Sequence, residues 1–378
     1  MADELLTADF IEEPFTEIKF EKAKIYSQPT HGPLRKSIPC MHIMTAITCC
    51  LLNFALPGSG TILSAFTVWH KDTKMSKGNS KESQFCLLST DNLHNRFVPL
   101  EMIGQGGFGQ IFKGMDNKTK KLVAIKVEHK YNNDPNNDPR RLVIEHEVLI
   151  GLRGKPHIPL IYATGKTIRE NPYIVMQILG ENLTTLRKQR TESKFSLETS
   201  FRIGQQICNA LESLHELGFV HRDIKPNNCC IGKEQKKIIY LLDFGMCRRW
   251  KINGKPRNAR DKAPFRGTIR YASSRALKQK ECGPVDDLIG WLYSVLELYL
   301  GHLPWAKVAD VNEIIRMKLE ITPDELCKNI PTPFKIALEY SLSLNFDTMP
   351  DYPKIHKLFK ECFPENFNPS IPFDWEIK

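Results

Sequence analysis

The sequence predicts an α+β fold: a small β-rich lobe followed by a larger α-helical one, behind a hydrophobic N-terminal extension. Three observations predict it. Residues 98–103, 111–115 and 122–128 alternate or cluster apolar residues with strand formers, and Asp116 and Asn117 begin a turn between the second and third runs. From residue 196 onward, apolar residues recur at helical spacing instead. Residues 37–70 contain no Asp, Glu, Lys or Arg.

A chain of 378 residues suffices for one large or two ordinary domains. Hydrophobic residues make up 41% and charged residues 25%, which excludes wholesale disorder, collagen and a disulfide scaffold. The net charge of +10 calls for an anionic partner: nucleic acid, a membrane surface, or an acidic or phosphorylated protein. Eleven cysteines include no Cys-x-x-Cys, and the adjacent pairs Cys49 with Cys50 and Cys229 with Cys230 lack zinc spacing. They read as reduced, small hydrophobes of a cytosolic protein. Residues 1–20 are acidic and lack the basic-then-apolar order of a secretory signal.

Composition divides the chain into a polar N-terminus expected to be disordered (1–36), the charge-free segment (37–70), a basic linker (71–95), a mixed globular segment (96–362) and a short tail (363–378). Residues 38–56 nearly supply the ~20 apolar residues of a membrane-spanning helix. Pro57, Gly58, Ser59 and Gly60 then break the helix, and residues 61–69 are too short to span back. Membrane contact through residues 38–69 is the favoured reading, as a re-entrant hairpin or one tilted helix; a hydrophobic hairpin packed on the globular part is the other. Basic residues on both sides leave the orientation open.

Within the globular segment, residues 129–141 are rich in Asn, Asp and Pro and read as a loop, and residues 142–152 as a helix. Ser196 is placed to cap a helix carrying Phe201, Ile207, Leu211 and Leu214, which Gly218 stops. Residues 238–242 form a short buried strand, and residues 287–300 an apolar helix ended by Gly301.

Four short motifs carry chemistry. The run Gly-Gln-Gly-Gly-Phe-Gly at 104–109 lies between two predicted strands, where glycines let backbone N–H groups approach phosphate oxygens. Val123, Ala124, Ile125 and Lys126 follow on the next strand, and a lysine in an apolar strand needs anionic partners. Nucleotide phosphates and a helix carboxylate would serve. Glu145 is preferred over Glu147, ~200° further round the helix, because Ile144, Val148 and Leu152 then face inward.

The third motif is His221, Arg222, Asp223, Ile224, Lys225, Pro226, Asn227 and Asn228. Asp223 would accept or orient the proton of a substrate hydroxyl, Lys225 would steady a γ-phosphate, and Asn228 would give a neutral oxygen to magnesium. The fourth is Asp243, Phe244 and Gly245 directly after a buried strand, where a carboxylate can reach Mg2+. Any one alone is weak; all four in this order are a strong signal.

In these motifs, residues 96–362 resemble the eukaryotic protein kinases, with a bilobal fold divided into an N-lobe (96–179) and a C-lobe (180–362). The closest resemblance is to the casein kinase 1 group. Arg266, Gly267, Thr268, Ile269, Arg270, Tyr271, Ala272 and Ser273 stand where most kinases lead into Ala-Pro-Glu, which is absent. Residues 175–180 (Val-Met-Gln-Ile-Leu-Gly), 218–221 (Gly-Phe-Val-His) and 302–305 (His-Leu-Pro-Trp) look like the tau-tubulin kinase branch.

The resemblance implies ATP and Mg2+ as cofactors. It implies an ATP site of Ile103, Gly104, Gly106, Gly109, Ile111, Ala124, Lys126 and Glu145, with Met176 as gatekeeper and the hinge from Gln177 to Leu179. Asn228 and Asp243 would hold metal. Asp287, after Asp286 at the start of a helix, would tie that helix to the catalytic loop. Met246 and Cys247 replace the usual Leu-Ala, a change of packing. The implied activity is transfer of the ATP γ-phosphoryl to protein serine or threonine, and the missing Ala-Pro-Glu leans towards constitutive activity.

Charge adds a direction. Residues 248–280 contain twelve bases and one acid, Asp261, so the rest of the chain is close to neutral. Acidic or already phosphorylated protein substrates are expected, with Arg266 and Arg270 in an anion site. Aromatic residues are sparse there, which weighs against nucleic acid. The alternative function is a catalytically weak, membrane-associated scaffold with the same fold.

The N-terminal third has a separate likeness. Residues 32–40 (Gly-Pro-Leu-Arg-Lys-Ser-Ile-Pro-Cys) and 52–61 resemble part of a small Stum-type membrane protein. This implies a fusion of two reading frames, with a cytoplasmic kinase starting at Met75; a genuine N-terminal anchor would instead tether the kinase to a membrane.

Overall fold

The computed structural model describes residues 11–12, 87, 91–106, 109–128 and 141–377. The membrane contact expected of residues 38–69, the linker apart from residues 87 and 91–95, and the loop at 129–140 lie outside the described residues. Among the described residues no helix is long and apolar enough to cross a membrane.

A six-stranded sheet forms the first lobe. Its strands are β1 (Ile11–Glu12), β2 (Phe97–Gly106), β3 (Gly109–Asp116), β4 (Lys121–Glu128), β5 (Ile161–Lys166) and β6 (Pro172–Gln177), in the order β1-β5-β6-β4-β3-β2. The three runs read as strands in the sequence are β2, β3 and β4, each a little longer than its apolar pattern. β2 and β3 form an antiparallel hairpin closing at Gly106 and Gly109, and β3 pairs with β4 in continuous register. Val123, Ile125 and Val127 are almost fully buried, so the period of two turns Ala124, Lys126 and Glu128 to the other face of β4. Helix α1 (Arg141–Gly151) packs beside the sheet and buries Leu142, Glu145, Val148 and Leu149.

After Gln177 the chain enters the helical lobe through β7 (Leu179–Asn182), which joins a second small sheet with β9 (Cys229–Gly232) and β10 (Ile239–Leu241). The lobe is built on α3 (Leu197–Glu216), which follows the short α2 (Leu183–Lys188), and on α5 (Pro284–Leu300). The Ser196 side chain accepts the Thr199 N–H and caps α3, and Gly218, at φ +89°, ends it as expected. α5 begins three residues earlier than its apolar run, because Pro284 fits the first helical position and Asp286 reaches back to the Gly283 N–H at 2.8 Å. Gly301, at φ +87°, closes it.

The core of this lobe lies between α3, α5, α8 (Thr332–Ser343) and α9 (Tyr352–Glu361). Phe201, Phe334 and Phe359 pack edge to face or tilted. A Cβ at Gly204 would sit 2.3 Å from the Phe359 ring, so only glycine lets α9 approach α3 this closely. The Gly204 carbonyl accepts the Trp291 indole N–H at 3.0 Å. The tail is docked. Asp374 accepts hydrogen bonds from Ser196 and Thr199 at the start of α3, and Phe373 is fully buried. The seven described cysteines are all free thiols.

Candidate active site

A cavity of about 440 Å³ lies between the lobes. Twelve residues singled out in the sequence line it. Ile103, Gly106, Gly109 and Ile111 come from the β2–β3 hairpin; Ala124 and Lys126 from β4; Glu145 from α1; Met176, Gln177 and Leu179 from the connection; Asn228 and Asp243 from the helical lobe. Gly104 does not line it; a Cβ there would only touch Ile111 at 3.7 Å. The two glycines at the hairpin tip differ. A Cβ at Gly109 would strike the Val127 carbonyl at 2.3 Å, so this glycine is needed for strand packing. Among the described residues nothing lies within 4 Å of a Cβ at Gly106, which leaves space above the cavity.

Lys126 is the charge centre. Its Nζ lies 2.6 Å from Glu145 Oε2 and 2.9 Å from Asp243 Oδ1. Glu147, the rival carboxylate, points away and pairs with Arg249. Burial opposes the Lys126 charge, but Asp243 and Glu145 outweigh it and hold its pKa well above the ordinary value. Lys126 in turn holds Asp243 down at about 2. The Asp243 side chain remains 45% exposed towards the cavity, and its backbone is left-handed at φ 66°.

The Asp223 carboxylate sits a short way off, in a loop that rests on Asp287. That buried carboxylate accepts the backbone N–H groups of His221 at 2.6 Å and Arg222 at 2.8 Å, and His215 Nε2 lies 2.9 Å away. The expected tie between the α5 helix and this loop is therefore present. Asp223 receives Lys225 Nζ on Oδ2 at 2.6 Å and the Thr268 hydroxyl on Oδ1 at 2.7 Å; Lys225 also donates to Thr268 at 3.0 Å. Asn228 Nδ2 donates to the Asp223 carbonyl at 2.9 Å, which turns the Asn228 amide oxygen away from Asp223. Gly267 allows this contact between segments. It has φ +110°, and a Cβ there would lie 2.3 Å from the Arg222 carbonyl.

The loop carrying Thr268 is fastened from behind. Lys318, on α6 (Val311–Glu320), donates to the carbonyls of Ile269, Arg270 and Ala272 at 2.6–3.1 Å, and the Trp305 indole donates to the Arg270 carbonyl at 2.8 Å. Burial lowers the Lys318 pKa to about 7.

The basic segment is less free than its composition suggests. Arg248 and Arg260 converge on Glu281, Arg249 meets Glu147, Arg275 approaches Asp286, and Arg270 donates to Glu297 at 2.9 Å. All four carboxylates lie outside residues 248–280. Arg266 is exposed, at the edge of a small recess shared with Asp223 and Thr268. Seven bases have no carboxylate partner among the described residues: Lys251, Lys255, Arg257, Lys262, Arg266, Lys278 and Lys280.

Sequence reading missed several lining residues. Glu128 is 1% exposed, accepts the Leu142 N–H at 3.3 Å, and is pushed by burial up to about 7. Arg141 stands one helical turn before Glu145. Cys230 and Leu242 line the cavity from the helical lobe. Glu128 was recoverable, since it continues the alternation that exposes Ala124 and Lys126. Cys230 had no signal beyond its apolar strand.

The donor set fits Mg2+ and a nucleotide. Asp243 and Asn228 offer one carboxylate and one amide oxygen to a hard cation that takes the rest of its shell from phosphate and water. The Lys126 ammonium and the open space at Gly106 suit phosphate oxygens.

This architecture, a sheet lobe and a helical lobe enclosing a lysine–carboxylate cavity, is that of a two-lobed phosphoryl-transfer fold. Residues 97–367 match the model of the protein kinase domain, and the chain belongs to that family. Its relatives include a Dictyostelium discoideum protein named as a serine/threonine-protein kinase, 36% identical over 76% of this chain and 57% of that protein. The chain thus spans just over half of that relative's length. A Caenorhabditis elegans protein named as a casein kinase I is 37% identical over 75% of this chain and 84% of its own. A second C. elegans protein, named as a serine/threonine-protein kinase, is 34% identical over 74% and 82%. Residues 36–104 match a different model, described as ectodermal ciliogenesis protein, so the N-terminal likeness falls to that family.

Proposed function

We propose that the chain is a serine/threonine protein kinase of casein kinase 1 type, using Mg2+ and ATP and preferring acidic or already phosphorylated protein sites. One observation carries the reading: Lys126, Glu145 and Asp243 meet in the same interlobe cavity that Asn228 lines, while Asp223, Lys225 and Thr268 form a second cluster that Asn228 joins to it. Bound Mg2+ would screen the phosphate charge that builds up during transfer. Asp243 and Asn228 would hold it. Lys126, fixed by Glu145, would bind phosphate oxygens beneath the hairpin. Ile103, Ile111, Ala124, Met176 and Leu179 would enclose the adenine, with Gln177 to Leu179 offering backbone hydrogen bonds. Asp223 would orient the incoming hydroxyl and take its proton at a carboxylate oxygen, while Lys225 would steady the phosphate. These residues mostly position charge, as suits a loose transition state.

The acidic preference rests on the seven bases that have no carboxylate partner among the described residues, among them Arg266 beside Asp223. Arg270 contributes less, because Glu297 already occupies one side of its guanidinium. A radiolabelled γ-phosphoryl transfer assay tests the reading. Asp223→Asn and Lys126→Ala should each abolish transfer with the thermal transition kept; retained transfer in either overturns it. A peptide library selecting basic flanks would overturn the substrate preference.

The two family matches overlap only at residues 97–104, which supports a junction of two unrelated segments; the N-terminal match runs on past Met75 to residue 104, so the start of a cytoplasmic kinase at Met75 rests on the fusion reading alone. A peptide crossing residues 60–90, detected by mass spectrometry in the source tissue, would overturn that junction reading and restore the membrane-tethered form.

A further inference from the structure

A second cavity, of about 630 Å³, shares Gln177 and Ile178 with the first. It opens between two turns, one from each lobe: the β3–β4 turn around Lys118 to Lys121, and the β9–β10 turn at Gly232 to Gln235. Nothing in the phosphoryl-transfer reading uses it.

Its chemistry is lopsided. The floor is apolar, built from Leu122, Val123, Leu160 and Ile178, with the rings of Tyr162 and Tyr240 at the sides. Among the described residues the rim carries Lys118, Lys120, Lys121 and Lys233 against one open carboxylate, Glu234. The other described acid of the lining, Asp116, is already consumed. Arg96 grips both of its oxygens at 2.8 and 2.7 Å, and the Lys118 N–H and Thr119 hydroxyl complete it at 2.9 and 2.8 Å. Desolvation opposes that charge, but these hydrogen bonds and Arg96 win and hold Asp116 at about 2. The pair thus fixes the turn without neutralising the lysines. Lys120, Lys121 and Lys233 have no carboxylate partner among the described residues, and Lys120 sits in the left-handed region at φ 56°. Lysines gathered at a concave, apolar-floored site want anions that also bring apolar groups.

We propose that this cleft docks an acidic peptide segment of a partner protein, with carboxylates on the lysine rim and aliphatic or aromatic side chains on the floor. A lipid surface is disfavoured because the lysines border a recess between two turns. Nucleic acid is disfavoured by the aliphatic floor and by Glu234, which would face a phosphate chain. The inference stands apart from the kinase reading: only Gln177 and Ile178 are shared with the hinge, and none of the rim lysines is assigned to transfer.

The test is fluorescence anisotropy on the full chain, with a short labelled peptide alternating Asp or Glu with Leu and Phe and lacking Ser, Thr and Tyr. Binding should weaken with salt, persist under saturating nucleotide and substrate peptide, and fall about tenfold in Lys120→Glu/Lys121→Glu/Lys233→Glu. It should be unchanged in Lys328→Glu/Lys360→Glu, two exposed lysines of the helical lobe assigned to no site. The triple variant should still phosphorylate a short peptide normally; if it fails to fold, Lys233→Glu alone should show a smaller loss in the same direction. Equal binding of an Asn/Gln version of the peptide overturns the proposal, as does loss of binding in the Lys328/Lys360 variant alone. So does displacement of the peptide by single-stranded nucleic acid or anionic vesicles at lower concentration. Failure of the full chain to bind, whether its own acidic residues 1–17 fill the cleft or nothing does, also overturns it.

Discussion

Thr268 donates its hydroxyl proton to Asp223 Oδ1 at 2.7 Å while accepting from Lys225 at 3.0 Å. One side chain therefore sets the angle of the carboxylate and the reach of the ammonium. Thr268→Ala should lower kcat about ten- to a hundredfold with little change in the KM for ATP, because it removes positioning and spares nucleotide contacts. Thr268→Ser keeps the hydroxyl and should recover most of the rate. A fall confined to KM in steady-state assays would contradict this role.

Lys126 is shared between Glu145 and Asp243, so removing one partner does not leave it unpaired. Glu145→Gln should keep the fold, because Asp243 remains 2.9 Å from the ammonium. Lys126 should then drift towards Asp243, and kcat/KM should drop about a hundredfold, since a charge aimed by two carboxylates loses its direction. Lys126→Ala should be more severe. A thermal scan beside the kinetics separates loss of aim from loss of fold.

Glu128 gives a pH dependence with a defined sign. Burial raises its pKa from 4.5 to about 7, so the folded state holds its proton more tightly than the unfolded one. That contribution to stability is complete below pH 4.5 and is lost as pH rises through about 7. Above pH 7 Glu128 adds its charge to a cavity that Glu145 and Asp243 already line. The KM for ATP should therefore rise between about pH 6.5 and 8, and Glu128→Gln should flatten the rise. An unchanged profile in that variant would assign the dependence to another group.

Local pattern carried the parts of the fold that are local. Strands β2 to β4, the Ser196 cap and the Gly301 stop follow from alternation and capping chemistry, and Glu145 from the inward face of one helix. The site's second cluster was not legible in the same way. Thr268 is 45 positions from Asp223, and nothing in spacing says that Gly267 would bring their segments together over the Arg222 carbonyl. The basic segment misled for a related reason. Composition counts charges near in sequence, whereas the carboxylates of Glu281, Glu147 and Glu297 reach Arg248, Arg260, Arg249 and Arg270 from elsewhere in the chain. The docked tail was likewise out of reach, because Asp374 binds the Ser196 cap of a helix that starts 177 positions earlier at Leu197.

Sequence places Arg266 and Arg270 in one anion site, and the structure separates what each substitution should do. Glu297 is 2% exposed and is held by Arg270 at 2.9 Å, by the Tyr271 hydroxyl at 2.5 Å and, more distantly, by Arg187 at 3.8 Å. Arg270→Ala takes the nearest cation from a buried carboxylate, which should cost about 1–3 kcal/mol and lower the thermal midpoint. Arg266 is exposed and has no carboxylate partner to strand among the described residues. Arg266→Ala should leave the midpoint unchanged and raise the KM for an acidic peptide several-fold, with little effect on a neutral one. Parallel melting curves and peptide kinetics decide the matter. A stable Arg270→Ala protein whose only defect is weak binding of acidic peptides would return Arg270 to the anion site as an equal member, and Glu297 would then be a buried acid that Tyr271 and Arg187 satisfy without it.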